Sequence, residues 1–358
     1  MKAVYILISC LMGTFMFQIP GNANITSTPQ AALLICSVMA LWGIYLIRMS
    51  GMVSFLVIVA SMMILRGILL VKAPILASLD YAIQIFIATV LYYVVRRLNF
   101  QEKDLKWFLI PSIINVVFVF IQKFATETVP LRGTEICGLL GNGGLTGTFL
   151  GMTTILYFRY FKLGLPFLLM AIVLCGGFVG MIAFMATALF YFISRDDFLG
   201  LMAILSLTAI ILGSSVAGDQ FKHDARFRLS MAAGTASGCF YHPIVGWGPG
   251  SFLSIISQVK PEDSEYFGVQ FNSPKRIMNH PHNEFLYGWW NFGALFLIGM
   301  IAYSRRIWIK FRPDKIQSFC ILLSGFIVMM LYFFKPPTAF LMAVALGIFE
   351  NKEVFNHG

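Results

Sequence analysis

Apolar runs of about 18 residues or more recur along almost the whole chain, each long enough to cross a bilayer as a helix. That constraint leaves one fold class open, an all-α integral membrane protein with a single polytopic domain over 1–358. Composition agrees: 58% of residues are hydrophobic and only 12% are charged, against roughly 25% charged in soluble domains. The net charge of +10 does not point to nucleic acid. The cations cluster in short loops between apolar runs, the pattern that orients membrane helices.

Spans are expected near 1–19, 31–48, 51–71, 75–95, 107–122 and 137–158, then within 164–194, and at 198–214, 284–303, 316–334 and 336–350. The first run has one cation followed by apolar residues, as a signal peptide does. No convincing cleavage site follows, so it reads as a retained span. Arg48, Arg96, Arg97, Lys103, Lys106, Arg159 and Lys162 mark cytoplasmic loops, as do Arg305, Arg306, Lys310, Arg312 and Lys315. Parity then requires two crossings within 164–194, broken near Cys175-Gly176-Gly177, where glycines weaken a helix. The count is about twelve spans with both termini cytoplasmic. One long extracytoplasmic loop remains, 214–283, and its aromatic and Gly-Pro content argues against disorder.

Four of the six cysteines lie inside apolar runs, and none shows metal-ligand spacing. Cys137 and Cys239 could share an oxidising compartment, but free thiols are the expectation. Arg66 lies inside a predicted span, a functional candidate or a side chain that snorkels outward. Asp80, one turn before Gln84, could pair with it.

Two stretches carry chemistry. In the first, Arg228 precedes Tyr241-His242-Pro243-Ile244-Val245-Gly246-Trp247-Gly248-Pro249-Gly250. Glycines there permit positive φ, and amides freed by such turns bind anionic oxygens. A tight turn re-entering the bundle is the plainer reading. No Gly-Lys-Ser/Thr follows, so this is no nucleotide loop. The second stretch is His280-Pro281-His282-Asn283-Glu284, entering the 284–303 run. A histidine titrates near neutrality and can take a proton from a hydroxyl. It could also anchor at headgroup depth. Two histidines one residue apart, with no accompanying ligand set, signal metal only weakly.

His282-Asn283, nine residues, then Gly293 resembles the signature of the O-antigen ligase and polymerase superfamily, which pilin O-oligosaccharyltransferases share. Arg228, fourteen residues, Pro243 and Gly246-x-Gly248 match that family's arrangement, and Gly138-Leu139-Leu140-Gly141-Asn142 is a partial third match. The best-matching region is about 130–300. The chain departs from the family at Ala232, where tryptophan is common, at Gly176-Gly177, where many members carry Ser-Arg, and at Phe296.

The resemblance implies a GT-C-like helix bundle, with short helices in the large loop, in the bacterial cytoplasmic (inner) membrane. It implies transfer of a glycan from undecaprenyl diphosphate to a hydroxyl of lipid A-core or another acceptor at the periplasmic face. Arginine grips phosphate in a bidentate fork, which suits Arg228, with Arg132, Arg226, Lys275 and Arg276 as further cations. Gly246 and Gly248 would line the substrate site. His282 would act as base and Asn283 would orient the acceptor or the imidazole. Neither cofactor nor metal is implied. A ligase is expected ahead of a polymerase, and no appended soluble domain is evident that would suit a pilin-modifying enzyme. The rival from another class is a twelve-span secondary transporter, for which no internal repeat is visible. A non-catalytic anchoring protein is a further alternative.

Overall fold

The computed structural model describes residues 88–89, 91–125, 136, 138–140, 143–213, 215–248, 251–252, 283–331 and 336–351. The expected spans at 1–19, 31–48 and 51–71, most of 75–95, and Arg66, Asp80, Gln84 and Cys137 lie outside them. Among the described residues every regular element is a helix.

A 3₁₀ turn, Glu102–Phe108, leads into α1, Leu109–Phe124. Then follow α2 (Gly143–Tyr160), α3 (Leu165–Leu174), α4 (Phe178–Ile193), α5 (Phe198–Gly213) and α6 (Ser215–Cys239). After the turn at 240–248 come α7 (Glu284–Phe292), α8 (Ala294–Ile309), α9 (Ile316–Leu331) and α10 (Pro336–Glu350). Glu102–Phe124 and Pro313–Leu331 are long and apolar enough to cross a membrane.

The core forms where α2 packs on α4, with α9 against both and α10 against α9. Glycines set the α2–α4 approach. A Cβ on Gly147 would lie 2.7 Å from the Gly177 Cα, and one on Gly151 would lie 2.3 Å from the Gly180 carbonyl oxygen. Backbone therefore meets backbone, which only small residues allow. Buried hydroxyls on this core pair with one another: Ser112 Oγ lies 2.8 Å from Thr153 Oγ1 and donates to Tyr157 Oη.

The break expected at Cys175–Gly177 is present, with Gly176 at φ +61°. α3 rises only about 15 Å and α4 about 24 Å, so neither alone reaches across a hydrocarbon core of roughly 30 Å. One expectation is corrected. The 284–303 run is two helices, because Gly293 sits at φ 82°, ψ −179°. Within the 214–283 segment, Ser215–Cys239 form one continuous helix of 25 residues, α6, longer than the short helices expected there.

α9 is held at both ends by charge. The Glu102 carboxylate accepts from the backbone N–H of Gln317 at 3.0 Å and from that of Ser318 at 3.2 Å. An anion at a helix N-terminus and a cation at its C-terminus both oppose the helix dipole. Here the cation is Arg228.

Candidate functional site

The last nine residues of α6, Met231 to Cys239, are mostly small. They leave space for one large ring: a Cβ on Gly238 would lie 2.2 Å from the Trp290 indole. Trp290 is fully buried, and its Nε1–H donates to Ser251 Oγ at 3.0 Å. Phe252 meets the same indole edge-on, with centroids 5.1 Å apart. Tryptophan tolerates such burial because its N–H finds a partner.

The turn after α6 is zipped to the end of α7 by backbone bonds. Trp247 N donates to Trp290 O at 2.6 Å, Gly248 N to Asn291 O at 3.2 Å, and Ala294 N to Pro243 O at 2.7 Å. Trp289 Nε1 also donates to Pro243 O, and Trp247 Nε1 donates to Gly238 O, both at 3.0 Å. The turn after α6 and the far end of the helix that opens at Asn283-Glu284, more than forty residues apart in sequence, thus form one packed unit.

That packing redefines the glycines. Gly246 and Gly248 have φ of +67° and +98°, and a Cβ on Gly246 would lie 2.5 Å from Trp290 O. Their N–H groups donate to His242 O and Asn291 O. Neither amide has a proton left for a phosphate, so here these glycines shape the turn rather than cradle an anion.

Arg228, half-buried on α6, donates through Nη1 to Leu331 O at 2.5 Å, and its guanidinium lies 5.9 Å from the Phe178 ring centroid. Leu331 ends α9 and Phe178 begins α4, so this arginine joins three helices. Arg226 is exposed, and two residues of helix separate its direction from that of Arg228. Asn283 is the N-cap of α7, its Oδ1 accepting from Leu286 N at 2.9 Å. This bond satisfies one of the orphan amides of that helix start. His280, His282, Arg132, Lys275 and Arg276 lie outside the described residues, as do Pro249 and Gly250.

The Gly138 segment is clamped from α1. Gln122 accepts from Gly138 N at 2.8 Å and donates back to its carbonyl, while Asn115 accepts from Leu139 N at 3.1 Å. Gly141 and Asn142 lie outside the described residues.

Sequence reasoning passed over Glu284, Tyr287 and Asn291. They are buried on one face of α7, directly after the His-Asn pair, and their three- and four-residue spacing was the available signal. Among the described residues, no group of three or more His, Cys, Asp and Glu side chains is placed to hold a metal ion.

Cys239 is a buried free thiol whose Sγ donates to Leu286 O at 3.7 Å. Burial pushes the thiol up to about 12. The thiolate is the reactive form, so Cys239 stays almost fully protonated at neutral pH, and raising the pH to 9 exposes little of it. Iodoacetamide is expected to leave Cys239 unmodified in the folded protein at both pH values and to label it after denaturation. Peptide mass mapping reads this directly, and labelling of folded protein at the denatured rate would contradict the packing described.

No family model matches the chain, and no curated protein matches it.

Proposed function

We propose that the chain is a metal-independent, inverting glycosyltransferase of the O-antigen ligase type, embedded in the bacterial cytoplasmic membrane as a polytopic helix bundle. It transfers a glycan from undecaprenyl diphosphate to an acceptor hydroxyl at the periplasmic face. The observation that supports this reading is the packing of the turn after α6 against the helix that opens directly after His282. The turn that follows Arg228 is bonded through Pro243, Trp247 and Gly248 to the helix that follows His282-Asn283. Sequence spacing alone does not require such a meeting.

In the proposed reaction the acceptor oxygen attacks the anomeric carbon from the side opposite the phosphate. The bond from that carbon to the phosphate oxygen breaks, and its electron pair leaves on the diphosphate. His282 takes the hydroxyl proton. Arg228 offsets the charge that grows on the leaving oxygens, in the manner of preorganised donors aimed at developing charge. Its bond to Leu331 O uses one N–H, and the planar guanidinium offers five. Asn283 supports the site by starting α7, which fixes where the chain leaves His282.

The test is expression in a host that makes carrier-linked glycan but lacks its own ligase and polymerase. The expected result is glycan on lipid A-core, seen as a shifted lipopolysaccharide band. A lengthened carrier-linked pool with unmodified lipid A-core would assign the chain to polymerisation instead. No change in either pool, with the chain inserted at normal levels, would remove the glycosyltransferase reading.

A further inference from the structure

Between Arg228 and Lys260 the chain holds no lysine, arginine, aspartate or glutamate, although it lies within the most polar region of the sequence. The described part of this stretch ends α6 and makes the turn that follows. Its side chains point outward: Phe240 is 68% exposed, Tyr241 66%, Ile244 67% and Val245 43%. Trp289 stands behind them, edge-on to Phe240 with centroids 5.2 Å apart. Its indole N–H is satisfied internally by Pro243 O, so the ring can sit in apolar surroundings. An apolar aromatic patch of this kind marks a contact surface rather than a solvated loop.

The position of the patch identifies what it contacts. Pro243 O accepts the first amide of α8, and Arg228 holds the last carbonyl of α9. The last turns of α8 carry Arg305 and Arg306 and its connection to α9 carries Lys310, Arg312 and Lys315, the cationic signature of the inner face. The α6–turn unit therefore ties together the outer ends of both helices. α8 itself shows an exposed apolar stripe, Leu295, Ile298 and Ile301, which ends at exposed Trp308 and those cations. α8 rises about 24 Å, short of the roughly 30 Å of a hydrocarbon core. The turn is bonded to the first residue of α8, so at that end it adds apolar depth, with aromatic rings of the kind that a membrane belt holds.

We propose that the 240–245 turn is a monotopic anchor seated in the outer-leaflet boundary between headgroups and acyl chains. It holds Arg228, the last charged residue before the uncharged stretch, at headgroup depth, where the diphosphate of a carrier lipid lies. The inference rests on the membrane glycosyltransferase reading for that last consequence, but the anchoring itself is read from surface chemistry. A turn that inserts without crossing gains its hold from apolar area and interfacial aromatics.

Three single-cysteine variants in a cysteine-free background test it: Tyr241→Cys on the turn, Ile298→Cys on the α8 stripe, and Arg312→Cys in the cationic connection. Each is labelled with the environment-sensitive dye NBD and reconstituted into phosphatidylethanolamine–phosphatidylglycerol vesicles with shallow- or deep-doxyl lipids. Dye at 241 is expected to be blue-shifted and quenched most by shallow doxyl, dye at 298 by deep doxyl, and dye at 312 by aqueous iodide alone. Iodide quenching at 241 with lipid quenching retained at 298 would overturn the anchor and leave the membrane reading standing. No lipid quenching at 298 or 241 would remove the membrane reading itself. Protection of 241 from both iodide and doxyl would mean that a protein surface covers the turn, and would also overturn the proposal. Should the cysteine-free background fail to fold, the Phe240→Asp/Ile244→Asp double variant carries the test. Vesicle flotation is expected to show it integrated but with its turn newly cut by added protease, and an uncut turn would overturn the anchor.

Discussion

Replacing Arg228 by alanine is expected to lower glycan transfer by on the order of 10²- to 10³-fold, the usual cost of removing one preorganised donor from a developing oxyanion. The proposed catalytic role and a structural one meet in this side chain, and the experiment must separate them. Its hydrogen bond to Leu331 O stabilises the end of α9, and a charge-assisted bond of this kind contributes roughly 1.5–3 kcal/mol, less here because the side chain is only half-buried. Arg228→Ala therefore loses some thermal stability as well as activity. Arg228→Lys keeps the charge and can still reach a carbonyl, but it loses the planar fork. The lysine variant is expected to keep most of the stability and still lose about tenfold or more in transfer, since a tenfold change in rate needs only about 1.4 kcal/mol of transition-state stabilisation. Transfer rate and detergent melting temperature, measured on both variants, check this. A lysine variant with full activity would reduce Arg228 to a helix clamp.

The second large effect is structural. Gly293→Ala is expected to prevent accumulation of folded protein or to destabilise it by roughly 3 kcal/mol or more. Gly293 sits at φ 82°, ψ −179°, a region open to essentially no other residue. A Cβ there would lie 1.8 Å from Ile244 O, so the turn carrying Pro243 must move away. That movement breaks the bond from Ala294 N and disturbs those from Trp247 and Gly248. Gly299, on the next helix, is the internal control. A Cβ there meets nothing within 4 Å, and alanine favours a helix interior over glycine by about 0.5–1 kcal/mol. Gly299→Ala is expected to leave the melting temperature equal or slightly raised. Equal melting temperatures for the two variants would contradict the Gly293 geometry.

These contacts also explain what could be read from the residues alone. The break at Gly176 was legible because two adjacent glycines coincide with a charge-parity requirement, and both signals are local. The break at Gly293 was not. It lies in an apolar run that looks continuous, and the backbone packed against it belongs to a residue forty-nine positions upstream. α6 was hidden for a different reason. Its small residues, from Ala232 to Gly238, look like loop composition, and their purpose is visible only once the Trp290 ring fills the space they leave. The Gly246–Gly248 run was recognisable as special backbone, yet its amides serve the turn and not an anion. Arg228 could be singled out by spacing, but its partner on α9 is 103 residues away, beyond the reach of any local pattern. Asn291 shows the same limit: its side-chain amide is buried with no hydrogen-bond partner among the described residues, a fact of packing with no sequence trace.

The most direct test of the central claim uses the purified full chain in proteoliposomes with undecaprenyl diphosphate-linked glycan and lipid A-core, in the presence of EDTA. The account predicts transfer of glycan to lipid A-core with release of undecaprenyl diphosphate in equal amount, undiminished by the chelator and lost in His282→Ala. Absence of transfer by the intact, folded chain, or equal transfer by the His282→Ala chain, would contradict it.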